Sequence, residues 1–388
     1  MIQSNCWKRG LLAATLGFIA QPGRVNSEPT TAQELPAIVV TPLRGEQSQS
    51  DSPAQVHLIS PTEDAAGVSA RNLPETLREI PSVMVQKTGH GMGSPFLRGF
   101  TGFRTLTLVD GVRLNHSVFR EGPNQYLSTI DPLSLRVVEV LMGPGSVLYG
   151  SDAIGGVLQV LPVEPMDWTG TPDWSGRAIL RSAPGEDSVW GRLEFSARPS
   201  ESLGLIGGVS AKSLGDLRGG KDVGHQPKTG YDEQAGDLRL RWGLAEDVSL
   251  TLTHQSVRQD DVWRTHRTVY GLTWKGLKAG DDQRHEFDQA RQLTIARLEA
   301  GANAATGPFT LTLSRQVQSE DLVRVRKDGR TDRQGFEVTA WGAAAQAGRV
   351  TDFGRFDYGV DLQLDEVDSY SRKYSAEDRL QKTEIQGP

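Results

Sequence analysis

Val189-Trp190-Gly191-Arg192-Leu193-Glu194-Phe195-Ser196-Ala197-Arg198 decides how the second half of this sequence folds. One set of alternate positions carries Val, Gly, Leu, Phe and Ala, and the other carries Trp, Arg, Glu, Ser and Arg. A period of two puts successive side chains on opposite faces of a strand, so this is a strand with one apolar face. Phe356, Tyr358, Val360, Leu362 and Leu364 alternate in the same way with Asp357, Gly359, Asp361, Gln363 and Asp365. Similar stretches occur near 174 to 183, 203 to 214, 235 to 244, 247 to 257, 309 to 317 and 336 to 344, with a weaker one near 288 to 300. Together they predict about nine strands, each near the 9 to 11 residues that a tilted membrane strand needs. Period two also suits a soluble sandwich, so alternation alone leaves both architectures open.

The connections favour the membrane reading. Ala245-Glu246-Asp247 is tight, whereas 215 to 233, 259 to 286 and 318 to 334 are long, polar and charged. Short turns at one end and long loops at the other are what an outer-membrane barrel shows. Seven of the eight tryptophans and five of the seven tyrosines lie beyond residue 166, where interfacial girdles would use them. A mean hydropathy of −0.40 rules out a bundle of membrane helices but not a barrel, whose alternation averages to a soluble value. The net charge of −6 over 388 residues argues against a nucleic-acid partner.

Ahead of this zone the composition changes twice. Lys8 and Arg9 precede an apolar run from Gly10 to Ala20, too short to span a membrane and suited to an export signal over residues 1–27. The only cysteine, Cys6, falls inside that signal, so thiol chemistry and disulfides are not expected of the exported chain. Residues 28–51 are polar and cannot bury a core, which predicts a flexible strap whose one apolar run, Ile38-Val39-Val40-Thr41-Pro42, is a strand without a partner. Residues 52–165 read as a small α+β domain. Val56 and Leu58, Val83 and Val85, Leu106 and Leu108, Val138 and Val140, and Leu158 and Val160 mark short half-buried strands. Asn72 is a plausible N-cap ahead of Leu73, Pro74, Leu77 and Ile80, and Pro81 stops that turn. Residues 166–388 are the strand-rich remainder.

The middle zone carries a run of blocks: Phe96-Leu97-Arg98-Gly99-Phe100, Leu108-Val109-Asp110-Gly111-Val112-Arg113, Val138-Glu139-Val140-Leu141-Met142-Gly143-Pro144-Gly145-Ser146-Val147-Leu148-Tyr149-Gly150 and Ala153-Ile154-Gly155-Gly156-Val157. In this order they resemble the plug domain of TonB-dependent outer-membrane receptors, and Pro36 to Arg44, with Ile38 to Pro42 at its centre, resembles the TonB box that precedes such plugs. The resemblance implies an α+β plug followed by an antiparallel transmembrane β-barrel of about 22 strands, whose lumen needs a folded domain to close it. It implies energy-coupled uptake of a ferric siderophore, haem or cobalamin across the cell outer membrane, with no catalysis and no cofactor. The partners implied are a TonB-type transducer at Ile38, Val39, Val40, Thr41 and Pro42, outer-membrane lipid, and the ligand. With about nine strands against about 22, the sequence reads as the N-terminal part of a longer receptor, unable to insert as a transporter alone.

Two plug loops are candidate ligand contacts. His90 sits among the glycines of Gly89 to Gly93, which permit close backbone approach. His116, Phe119, Arg120, Asn124 and Tyr126 form the second loop: Arg120 suits an anionic chelate, Phe119 or Tyr126 a flat ligand, and His90 or His116 could ligate haem iron. No other metal site is assigned. Family members also lock plug to barrel through two arginines paired with wall glutamates; Arg98 matches one, Met142 stands where the other would be, and the glutamate partners would lie in the strands missing from this sequence. The competing class is a secreted β-rich enzyme or carbohydrate-binding module. It finds no His-Glu-x-x-His, paired-cysteine or Gly-x-Ser-x-Gly motif to support catalysis.

Overall fold

A computed structural model of the chain describes residues 38–39, 47–49, 52, 54–63, 70–165, 173–273, 278–301 and 308–386. The export signal, and Val40, Thr41 and Pro42 of the strap, lie outside the described residues. Strand β1 (Ile38–Val39) pairs antiparallel with β2 (Gln47–Ser48), Ile38 facing Ser48. The apolar run of the strap is therefore not partnerless; a short hairpin within the strap satisfies part of its backbone.

Five strands make the plug sheet, β3 (Gln55–Ile59), β6 (Thr105–Val109), β7 (Val112–Arg113), β8 (Leu135–Met142) and β9 (Gly156–Pro162), in the order β3-β8-β9-β6-β7. A separate hairpin, β4 (Val83–Gly89) with β5 (Met92–Leu97), stands beside it. Leu106 and Leu108 alternate as the sequence suggests, but every residue of β6 is buried, because apolar side chains cover both faces of the sheet. Helix α1 (Leu73–Thr76) is a single turn capped by Asn72, whose Oδ1 accepts from Glu75 N at 3.2 Å. Its amide donates to His90 O at 3.0 Å, tying the cap to the turn of the β4–β5 hairpin. A second turn, α2 (Ser146–Tyr149), follows the Gly143-Pro144-Gly145 corner.

After residue 172 the chain becomes one antiparallel wall of ten strands. They are β10 (Asp173–Ala183), β11 (Ser188–Ser200), β12 (Leu203–Leu214), β15 (Tyr231–Ala245), β16 (Val248–Trp263), β17 (Arg284–Ala300), β18 (Phe309–Val325), β19 (Thr331–Thr351), β20 (Gly354–Tyr374) and β21 (Leu380–Gln386). A small hairpin, β13 (Leu217–Arg218) with β14 (His225–Gln226), sits in the connection between β12 and β15. Each wall strand pairs with its sequence neighbours, and β10 and β21 form the two edges, so among the described residues the wall is open. The ninefold expectation missed β21, and the strands reach 21 residues in β19 and β20, longer than the alternating stretches.

The polarity of this wall separates the two architectures. Leu193 and Phe195 face outward at 64% and 49% exposure, while Arg192 and Arg198 on the opposite face are 2% and 4% exposed. Phe356, Tyr358, Val360, Leu362 and Leu364 lie exposed on one row of β20, whose other row from Asp357 to Gln363 is exposed too, near the open edge. A water-soluble sandwich buries its apolar rows; this wall shows them and turns its charges inward, as a membrane barrel does. The plug sits on the inward face, where Leu293 and Ile295 of β17 join Leu73, Leu77, Val138 and Val160 in one core. The two longest connections, 215–230 and 264–283, fall at one rim, whereas the long loop expected over 318–334 shrinks to 326–330 because β18 and β19 extend into it.

Asn72→Ala removes a helix cap and the bond to His90 O together. It should cost about 1–2 kcal/mol and speed amide exchange at Leu77 roughly tenfold, read by hydrogen exchange.

Candidate functional site

The plug meets the wall through buried charges. Asp110 and Gly111 form the two-residue turn between β6 and β7, with φ of +51° and +80°, the left-handed pair that an Asp-Gly hairpin turn uses. That turn carries the Asp110 carboxylate to the wall, where Oδ2 accepts from Arg239 Nη1 at 2.5 Å and Oδ1 from Arg297 Nη1 at 2.9 Å. Arg297 also donates to the Asp110 carbonyl, and Arg239 reaches Glu164 at 2.9 Å. Burial by itself would raise the Asp110 carboxyl, but Arg297 and then Arg239 outweigh it and hold it down at about 2.

A second tie runs from Lys212 of β12. Its ammonium lies 3.1 Å from Asp131 of the plug and 2.7 Å from Glu233 of β15, and it donates to Arg71 O at 3.0 Å. Gln259 Nε2 bridges Glu233 and the carbonyl of Ser128, and Arg291 Nε donates to Thr129 O at 3.2 Å.

At the long-loop rim, Glu320 of β18 is buried and accepts from both Arg120 and Gln125 of the plug. Gln125 Oε1 in turn accepts from Arg264 Nη2 at 3.2 Å, at the start of the long connection after β16. Between plug and wall lies a chamber of about 1770 Å³, lined by Arg113, Arg136, Glu164, Asp361 and Asp365 among others. It runs from the tight-turn rim at Ser202 and Gly301 up to His116.

The loop residues expected to face outward are placed as follows. His90 is only 2% exposed, edge-on to Tyr231 of β15 at 5.7 Å, with neither ring nitrogen bonded among the described residues. Burial, then Lys87 and Arg71, pushes it down to about 4. His116 is 6% exposed and packs among Phe119, Tyr126 and Phe336 at 5.4–6.1 Å. Burial likewise lowers it to about 4. Both imidazoles are neutral, but the wall covers them, so neither offers an open ring at the plug's outer surface. Tyr126 is fully buried and its hydroxyl has no partner among the described residues. Asn124 shapes its own loop, accepting from Tyr126 N at 3.3 Å. Arg120 remains half-exposed.

Arg98 does not meet the described wall. At φ +50° it lies exposed and donates to Gln55 of the plug at 3.2 Å. Besides the tie of plug Arg120 to wall Glu320, the described residues form a lock of the reverse sense, the plug carboxylate Asp110 held by wall arginines Arg239 and Arg297. Its signal was present in Asp110-Gly111 as a turn, and in Arg239 and Arg297 as charges alternating with outward Leu238, Leu240 and Leu298.

Residues 48–157 match the family model described as TonB-dependent Receptor Plug Domain. Among curated proteins, the chain is 39% identical over 246 residues to a "Vitamin B12 transporter BtuB" of Vibrio vulnificus, covering 55% of this chain and 38% of that protein. It is 27% identical over 213 residues to a "Hemin receptor" of Yersinia pestis, covering 53% of this chain and 30% of the relative. The fold matches the solved "Copper transporter OprC" with a TM-score of 0.67 at 17% identity, over 84% of this chain and 48% of that one. The chain thus spans well under half the length of these curated relatives and about half of the solved one.

Asp110→Asn leaves two buried arginines short of a counter-charge and should loosen the plug by about 3–5 kcal/mol. The carboxyl is held below its ordinary value, so its contribution of about 2 kcal/mol is complete above roughly pH 4 and lost as the pH falls through about 2. Limited proteolysis at the Asp110-Gly111 turn across this range should show protection at pH 5 to 7 and cleavage near pH 2, with the variant cleaved throughout.

Proposed function

Because the chain carries the plug domain of the TonB-dependent receptor family and a wall with the fold of its barrels, we propose that it serves energy-coupled nutrient uptake in the outer membrane of a Gram-negative cell. The observation that carries this reading is the wall's polarity. Apolar rows face outward and charges face a folded domain, which fits a lipid-embedded, plugged pore and no water-soluble enzyme or carbohydrate-binding module. The nutrient class is an iron chelate, haem or cobalamin, in line with relatives named as hemin receptor and vitamin B12 transporter.

The mechanism needs no bond to be made or broken in the nutrient. The ligand settles at the long-loop rim, over the plug segment 116–126. A TonB-type transducer adds a strand to the strap at Ile38 to Pro42, where main-chain bonds supply strength and alternate side chains supply selectivity. Because Ile38 and Val39 already pair with Gln47 and Ser48 through one edge, the transducer takes the free edge or displaces the hairpin. Traction on the strap then shifts plug elements away from the wall, and the chamber beside Arg113 and Asp361, which already reaches the tight-turn rim, gains a path from the long-loop rim. His90 and His116 would reach a haem iron only if the wall moved away from them, so haem ranks below anionic chelates.

Val40→Pro deletes one backbone donor from the strap. In cells carrying the native gene, it should abolish uptake of the receptor's nutrient while surface binding persists. Uptake at the wild-type rate would contradict the strap mechanism.

A further inference from the structure

The outward face of the wall carries a charged feature that has nothing to do with the plug. Arg333 of β19 and Arg372 of β20 are direct cross-strand partners, and both are exposed. Val338 and Ala340 are buried on the inward row of β19, so Arg333 and Gly335 belong to the outward one. Like charges directly opposite each other on one face of a sheet repel, so this pairing weakens the wall unless an anion answers it. The ion pairs described at this rim are Arg324 with Asp282, Arg326 with Asp332 and Arg330 with Asp328, and none of them involves Arg333 or Arg372. Asp321, reaching across the bare Gly335, accepts instead from the Tyr370 hydroxyl at 2.6 Å, a bond that a side chain at Gly335 would block. Rings hold both cations in place: Arg372 lies 5.3 Å over Tyr370 and Arg333 lies 5.5 Å over Tyr374. Both guanidiniums also act on the Tyr370 phenol, so they converge on one spot.

Two guanidiniums fixed side by side match a phosphate monoester, whose oxygens can take charge-assisted bonds from both. Height decides what carries that phosphate. The outward row of β20 is apolar from Phe356 to Leu364 and turns to exposed Glu366. At about 3.3 Å per residue and a tilt near 45°, the strand climbs roughly 14 Å from Glu366 to Arg372. The headgroup layer on each side of a bilayer is only about 5–8 Å deep, so a phospholipid phosphate stays below the pair. Resting on the outer-membrane reading above, we propose that Arg333 and Arg372 clamp a phosphate borne on the sugars of an outer-leaflet glycolipid. The clamp ties the outside of the wall to the sugar layer that surrounds it, away from the path of the nutrient.

The receptor encoded by the native gene, purified in detergent, would be titrated with four probes. They are lipopolysaccharide with phosphorylated core sugars, lipopolysaccharide from a strain that leaves the core unphosphorylated and keeps only its lipid A phosphates, phosphatidylglycerol, and inorganic phosphate. The core-phosphorylated form should bind about tenfold more tightly than the unphosphorylated one, the scale of one charge-assisted contact. Arg333→Gln or Arg372→Gln should erase that preference, and Arg333→Lys should keep part of it. Arg258→Gln, which removes an exposed arginine already bonded to Asp260 at 2.9 Å, should leave it intact. Equal binding of the two lipopolysaccharides, tighter binding of phosphatidylglycerol, or a preference that survives both glutamine variants would overturn the assignment. So would equal loss in Arg258→Gln, or occupation of the site by inorganic phosphate at the concentrations that saturate it with the glycolipid. Nutrient uptake should be unchanged in the Arg333 and Arg372 variants, and the Val40→Pro uptake result tests the receptor reading separately, so either reading can fail without the other.

Discussion

Charges turned away from lipid must be answered inside the pore, and this requirement ties the two parts of the molecule together. Arg192 is answered within the wall by Asp237 and Glu194. Arg239 and Arg297 are answered from the plug by Asp110, and Lys212 by Asp131 of the plug together with Glu233 of the wall. A buried cation stripped of its partner is costly, whereas a fully bonded one is tolerated, so neither the inward face nor the plug surface is stable in this form without the other. Apolar packing reinforces the dependence, since Leu293 and Ile295 lie in the plug's own core.

How much of this could be read in advance depends on which part of a strand touches lipid. Alternation in 189–198 and 356–365 was plain because one row faces hydrocarbon. It gave lengths near 9 to 11 residues, well short of the 21 of β19 and β20, since beyond the bilayer both faces of a strand are wetted and the period disappears. Leu380-Gln381-Lys382-Thr383-Glu384-Ile385-Gln386 was missed for that reason: all seven residues are exposed and no row is consistently apolar. In the plug, the Asn72 cap and the short strands were legible as local patterns.

The site was less legible, because its pairings span the chain. Arg120 stood out as a cation in a glycine- and asparagine-containing loop, but Glu320 is 200 residues away and reads only as one more alternate charge on a strand. The histidines show the converse error. Gly89-His90-Gly91 and Asn115-His116-Ser117 look like open loops in sequence, yet the wall and its aromatic residues Tyr231 and Phe336 fold over them. Local composition reports a loop; whether a second element covers it is a tertiary fact.

Strand β20 also fixes how high the molecule stands. Its outward row is apolar from Phe356 to Leu364 and then turns to exposed Glu366 and Asp368, which puts the hydrocarbon boundary between Leu364 and Glu366. At about 3.3 Å per residue and a tilt near 45°, the stretch from Glu366 to Tyr374 rises roughly 20 Å past that boundary. On that geometry this part of the ribbon stands clear of the apolar band, as a collar above it.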